Sequence, residues 1–471
     1  IGLSIISGNK EEGMAIEGDK NTVKENRIGT DGNGEKAIPN EKGIIISGSE
    51  NAIQMNIISG NKDAGISIEG NENMVELNYI GTDGNGEKAI PNGKGIVVSG
   101  NENAIQYNTI SGNEEAGISI EGNKNMVGLN HIGTDGNGEK AIPNGKGMVV
   151  SGNENAIRGN TISGNKGVGI SIEGNNNTLG NLIGISGIGG KAIPNGKGIV
   201  VSGNGNIIEL SVISGNKEEG MVIEGDYNTV EKNSIGTDGN DGKAIPNEKG
   251  IIISGSQNAI LKNIISGNKD AGISIEGNKN AVAYISIGTD GKGEKAIPNG
   301  KGIIISGSGS ENTITHSIIS GNKDAGISIE GNKNTVKDNS IGTDVKGVEA
   351  IPNGKGIIIS GDENTIQGNI VSGNRGEGIA IESSKNVVKD NYIGTDGSGG
   401  KEIPNGKGII ISGNENEIQG NTVCGNTGIG ICIAGGDENK IVGNDMECNK
   451  LDGLRLEDAT GTEIYNNEIS V

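Results

Sequence analysis

Eight prolines recur along this chain at Pro39, Pro91, Pro143, Pro194, Pro246, Pro298, Pro352 and Pro404, at intervals of 52, 52, 51, 52, 52, 54 and 52 residues. No proline lies outside the series. A period of this length marks an array of stacked units, each burying its apolar face against the next. Residues 1–471 are therefore read as one β-solenoid array of eight double-coil units, with no linker.

Each unit divides into two related halves. The short form runs Asn51 to Asn71, NAIQMNIISGNKDAGISIEGN, and the long form Asn21 to Ser49, NTVKENRIGTDGNGEKAIPNEKGIIISGS. Both follow N-x-[IV]-x-x-N-x-I, a turn, then G-I-x-I-x-G. The forms alternate at 22 and 30 residues, and an eight-residue insertion in the GTDGNGEKAIPNGKG segment makes the difference. The expected fold is all-β, a parallel β-helix of about 18 coils and roughly 90 Å in length at one strand spacing per coil. Glycine (88 residues) and β-branched residues disfavour helices, and no 3.6-residue period appears. Phe and Trp are absent, so aliphatic residues must close the core. Ile53, Ile58, Ile66 and Ile68 are the expected inward set of one coil, with Ile105, Ile110, Ile118 and Ile120 in the same slots one unit later. Asn56, Asn61 and Asn71 each follow an inward Ile by three residues. They are expected at three corners, where Asn accepts left-handed backbone and its amide bonds to the next coil.

The pattern resembles the right-handed parallel β-helix repeats of bacterial and archaeal surface proteins. The resemblance rests on G-I-x-I-x-G strands and on I-G-T-D blocks starting at Ile28, Ile80, Ile132, Ile235, Ile287, Ile341 and Ile393; the eighth copy, from Ile183, reads I-G-I-S. It covers nearly the whole chain and implies right-handed coiling. It does not imply an activity, because the fold hosts many.

The net charge of -21 (Lys+Arg 39, Asp+Glu 60) disfavours nucleic acid, which calls for a basic stripe. No apolar run reaches the roughly 18 residues of a membrane span. Ile1–Asn9 aligns with the middle of a short coil and Thr462–Val471 with the opening of another, so both ends are expected to stop mid-coil. Head-to-tail stacking of copies would cover them and build a homopolymer.

Three features are candidate sites. Calcium is a possible cofactor of the inserted loops, where Asp31, Asn33 and Glu35, Asp83, Asn85 and Glu87, and Asp135, Asn137 and Glu139 place oxygen ligands at alternate positions. A turn in which the Asp accepts backbone N–H bonds is the favoured alternative. Second, Ile45, Val97, Val149, Val200, Ile252, Ile304, Ile358 and Ile410 should point outward from the G-I-x-I strands and form an apolar column. Either the neighbouring A-I-P loops fold back over it, the favoured reading, or another chain packs there as a lateral contact. Third, Cys424 and Cys448 occupy nearly matching slots of successive coils, offset by one position, and could form a disulfide; Cys432 falls in the outward column. His131 and His316 share no motif and are expected to face solvent.

Catalysis is not expected. The four Arg lie on distant coils, and carboxylates recur with the repeat instead of clustering uniquely. The expected function is a non-catalytic extracellular structural repeat protein, a filament or stalk subunit assembling end to end. A cell-surface adhesin or glycan-binding β-helix is the alternative, and a polysaccharide lyase or hydrolase ranks third.

Overall fold

The computed structural model describes residues 1–240 and 242–470; Val471, which closes the expected segment Thr462–Val471, lies outside them. The chain forms two compact units, Ile1–Asn228 with Asp238–Asn240, and Thr229–Thr237 with Asp241–Val471. Among the described residues every regular element is a strand, and none is a helix long and apolar enough to cross a membrane.

One coil shows how the sequence sets the path. From Asn51 it runs through the strands Ala52–Gln54, Ile57–Ile58 and Ala64–Ile68. Each pairs in parallel and in register with its equivalent in the neighbouring coils: Ile53 with Val75, Ile58 with Ile80, Ile66 with Ile96. The expected inward residues Ile53, Ile58, Ile66 and Ile68 are fully buried, as are Ile105, Ile110, Ile118 and Ile120. Among the described residues, nine strands of the third face stack in each unit, from Glu12–Ile16 to Met221–Ile223 in the first and from Ile251–Ile253 to Leu454–Glu457 in the second. That meets the expected number of coils.

The corners carry rows of buried asparagine. In the first unit Asn51, Asn56 and Asn61 donate their backbone N–H to the side-chain oxygens of Asn73, Asn78 and Asn92 in the next coil, at 2.9, 2.9 and 3.0 Å. The same link repeats from Asn103 to Asn125, Asn155, Asn177, Asn206 and Asn228. In the second unit it runs from Asn334 to Asn364, Asn386, Asn416 and Asn439. Two expectations are corrected here. Asn71 is exposed, and the buried corner residue is Asn73, two positions on. Asn71 belongs to an outer row that bonds in the reverse direction, Asn101 N–H donating to its Oδ1 at 2.8 Å. Nor does the buried Asn take the left-handed conformation. The residue before it does: Glu50, Met55, Glu102, Tyr107 and Lys124 have φ of 56 to 58°. The Asn contributes its amide, and its predecessor turns the corner.

Glycine also serves contact. A Cβ at Gly122 would fall on the carbonyl of Gly100, and one at Gly152 on that of Gly122. The coils meet most closely along this glycine column. Departures from the period are local. In Thr178–Ile183 the corner is one residue shorter, Asn181 following Asn177 by four positions, and strand pairing shifts register beside it. The two extra residues near Gly309 bulge outward, with Ser306 Oγ and Ser308 Oγ 3.2 Å apart, while Gly331 still approaches the Gly309 carbonyl.

Asn108 accepts from the Asn78 backbone and side-chain N–H groups and donates to Asn130 and Val75. Asn108→Ala strands these buried partners and is expected to cost about 2–4 kcal/mol. Lys124→Gly relieves a left-handed non-glycine residue and should be neutral or stabilise by up to about 1 kcal/mol. Urea denaturation with hydrogen exchange on the flanking coils tests both; an Asn108→Ala chain as stable as the parent would show that the ladder does not hold the coils.

Candidate functional site

The inserted loops close on themselves. Asp31 N–H donates to the Lys36 carbonyl at 2.9 Å, and Thr30 bridges Ala37 in antiparallel fashion. Its carboxylate accepts the backbone N–H of Glu35 at 2.9 Å and of Lys36 at 3.3 Å. The Glu35 amide, with those of Lys36, Asn33 and Gly34, holds the Asp31 carboxyl below the usual range. Asp83 binds the N–H groups of Glu87 and Lys88, and Asp135 those of Glu139 and Lys140. The loop Asp thus acts as a turn closer. Asn33 and Glu35 are exposed. The acidic group that does converge among the described residues is Asp445, Glu447 and Glu468, on the last coils.

The A-I-P segments dock beside the I-G-T-D corner. Ile90 N–H donates to the Gly81 carbonyl at 2.8 Å, the Ile90 carbonyl accepts from Gly60 at 3.0 Å, and a Cβ at Gly112 would strike Ala89. The loops therefore cover an outward column, but not the expected one. A side chain at Gly84 or Gly86 would collide with Ile57 or Tyr79, the outward residues of the two-residue strands. Ile45, Val97, Val149 and Val200 in the first unit, and Ile252, Ile304, Ile358 and Ile410 in the second, remain half-buried on the third face. They alternate in register with smaller residues: Val97 lies between Ser67 and Ser119, Ile358 between Ser328 and Ala380.

The first unit also holds a groove that the sequence reading did not pick out. Leu77, Tyr107 and Leu129 occupy left-handed corners on successive coils and are each about half exposed. Tyr79, Thr109 and His131 pair in register on the adjacent strands, and with Asn78 and Gly136 the eight residues line a groove of about 270 Å³. In the second unit the corresponding corners carry Lys232, Lys262, Asp338 and Asp390, the glycines Gly368, Gly420 and Gly443, and the ring residues Tyr284 and His316. There His316 is exposed, stacked on Tyr284 with ring centroids 5.2 Å apart. His131, by contrast, is half-buried and not simply solvent-facing as expected. Its Nδ1 is enclosed against the loop at Gly138 without a hydrogen-bond partner. Burial pushes its pKa down, with the Asp135 carboxylate opposing. Two aromatic rings, two leucines and one imidazole in an open groove suit a ligand that offers both a flat apolar face and hydroxyl groups.

Cys424, Cys432 and Cys448 are free thiols, so no disulfide joins Cys424 to Cys448 here. Cys432 is buried in the outward column between Ile410 and Arg455, which removes it as a simple surface thiol.

The model of the family described as "Right handed beta helix region" matches residues 2–132, 33–184, 185–341 and 342–470. None of the curated proteins matches the sequence. Among solved structures, the chain is similar to the Dettilon tailspike protein, at 16% identity and a TM-score of 0.43, over 66% of this chain and 62% of that one. It is similar to the periplasmic alginate epimerase AlgG at 11% identity and TM-score 0.32, over 80% of this chain and 77% of that one. It is also similar to the alginate lyase AlyGC, at 10% identity and TM-score 0.28, over 99% and 97% of the two chains. The chain thus spans 62% of the length of the tailspike that it matches. At such identities the likeness is one of fold.

The buried imidazole has a pH signature. An NMR titration should place His131 below the ordinary histidine pKa. As pH falls from the ordinary value through the lowered one, the unfolded chain binds a proton that the folded chain resists, so stability declines in that window. His131→Thr, which installs the residue type of positions 109 and 161, should remove this part of the slope. A normal or raised pKa for His131 would contradict the enclosure.

Proposed function

The chain belongs to the right-handed β-helix family, and from that premise we propose that it is a non-catalytic structural element outside the cell, a stalk or filament segment that extends by end-to-end stacking. One observation carries this reading: the same corner amide link recurs from coil to coil. The link from Asn103 to Asn125 recurs from Asn125 to Asn155 at the same 2.8 Å. A further coil with these donors and acceptors could continue the rows, whether the same chain or a second copy supplied it. The loop Asp residues bind their own backbone, so the recurring carboxylates act as architecture in place of an acid–base set.

A second reading has its own support. The groove at Leu77, Tyr79, Tyr107, Thr109, Leu129 and His131 breaks the repeat and favours a surface adhesin that binds neutral glycan. Ring stacking on the exposed Tyr107 would provide recognition.

Electron microscopy over a dilution series separates the two. Fibres that lengthen with concentration support stacking; isolated particles at every concentration overturn it. For the second reading, neutral oligosaccharides should bind the parent chain and lose at least about tenfold in affinity with Tyr107→Ala. An unchanged affinity would overturn it.

A further inference from the structure

The slots that hold Cys424 and Cys448 have a fixed geometry elsewhere in the repeat. The residue following the two-residue strand is usually a buried Ser that reaches forward. Ser111 Oγ donates to the Thr134 carbonyl at 2.7 Å and accepts Gly133 N–H at 2.9 Å, both on the next coil. The residue after it is a left-handed Gly whose missing side chain would point backward. A Cβ at Gly112 would lie 2.7 Å from the Gly81 carbonyl, one at Gly321 2.7 Å from that of Gly288, and one at Gly425 3.0 Å from that of Gly394. In each case that carbonyl belongs to the residue after the preceding coil's strand.

On the last coils cysteine fills both slots. Thr422 pairs with Asp445, so Cys424 takes the forward-reaching Ser position, and Cys448, at φ 57°, takes the backward-pointing Gly position on the next coil. The two side chains are aimed into one inter-coil gap. We propose that Cys424 and Cys448 are a thiol pair that oxidises to an inter-coil disulfide, a covalent staple between the coils starting at Asn416 and Asn439. Apart from Cys432 in the outward column, the repeat holds no other thiol, and the staple stands whether the chain is a filament segment or an adhesin.

The oxidant is a small-molecule disulfide. The exposed Cys448 deprotonates and attacks one sulfur of that disulfide, forming a mixed disulfide and expelling one thiolate. The buried Cys424 loses its proton to solvent and attacks Sγ of Cys448. The protein disulfide forms and the second small thiolate leaves. Two protein thiols are oxidised and one small disulfide is reduced to two thiols. Cys448 acts first because it is exposed while Cys424 is buried; burial, then Cys448, Glu402 and Asp445, push the Cys424 pKa up to about 12.

The test equilibrates the full chain with graded mixtures of reduced and oxidised glutathione. Peptide mapping should find Cys424 linked to Cys448 within one chain, with the intact mass two hydrogens lower. The amides of Asp445 and Lys450, which donate across this gap to Asn421 and Asn426, should exchange about tenfold more slowly once oxidised, and dithiothreitol should reverse the change. Cys424→Ser and Cys448→Gly restore the residues that the repeat uses in these slots, so both should fold, and both should abolish the link. Cys432→Ser should leave it intact. A glutathione adduct that persists on Cys448 without resolution, or a link formed only between chains, would overturn the proposal.

Discussion

Each coil of this protein is held to the next through the side-chain amide of asparagine. A coil of 22 residues has a narrow core of four inward aliphatics and cannot stand alone. At a corner the backbone turns away from the strand ladder, and its N–H groups lose their partners. The buried Asn answers that need: its backbone N–H reaches the oxygen of the Asn ahead, and its own oxygen receives the Asn behind. Asn78 does both, donating to Asn108 at 2.9 Å and accepting from Asn56 at 2.9 Å. Buried amides left without such partners would each cost about 1–3 kcal/mol, comparable to the burial of one core side chain. The rows thus decide which residue types a corner accepts.

The ladder accounts for the other features. Because the Asn must present its amide along the stack, the residue before it absorbs the turn, and residues as bulky as Tyr107 and Leu129 sit at positive φ with their side chains thrown outward. Glycine is demanded where carbonyls of adjacent coils touch, as at Gly100 and Gly122. Insertions are tolerated where the amide rows are not cut. The long loop leaves after Ile80 and returns at Asn92, whose side chain rejoins the row by donating to Asn113 at 3.0 Å.

The period, the alternation of coil lengths and the inward Ile positions were all legible in the sequence, because strand alternation directly fixes which residue faces the core. The corners were less so. Asn71 and Asn73 lie two apart in one turn, and pattern alone cannot say which is buried. The groove was missed for the same reason. Its walls combine a corner residue such as Tyr107 with the outward strand residue Tyr79 of the preceding coil, and that juxtaposition depends on the direction of a left-handed side chain. One signal was present: the corners before the second Asn form an uninterrupted apolar run at Met55, Leu77, Tyr107 and Leu129, whereas further on glycines and the charged Lys232, Lys262 and Asp338 break such a run. The loops followed the same logic. Their glycines shelter Ile57 and Tyr79 because the loop leaves the chain directly after that strand, which places it above the two-residue face and away from the column at Ile45.

In so regular a molecule, function must lie either in what every coil shares or in the few places where coils differ. What they share is directional. The buried rows donate forward, Asn103 to Asn125, while the exposed row donates backward, Asn101 to Asn71. A second chain that continued the stack would therefore have to enter in the same orientation, because reversing it would set donor against donor in the corner rows. The exceptions do not conflict with this. The groove beside Tyr107 opens on the outside of the corner, and the thiol pair lies between two particular coils. Neither cuts a buried row: Asn108 still meets Asn130, and Asn426 still meets Asn449. The amide ladder therefore stays continuous while the outer residues of a few corners vary freely.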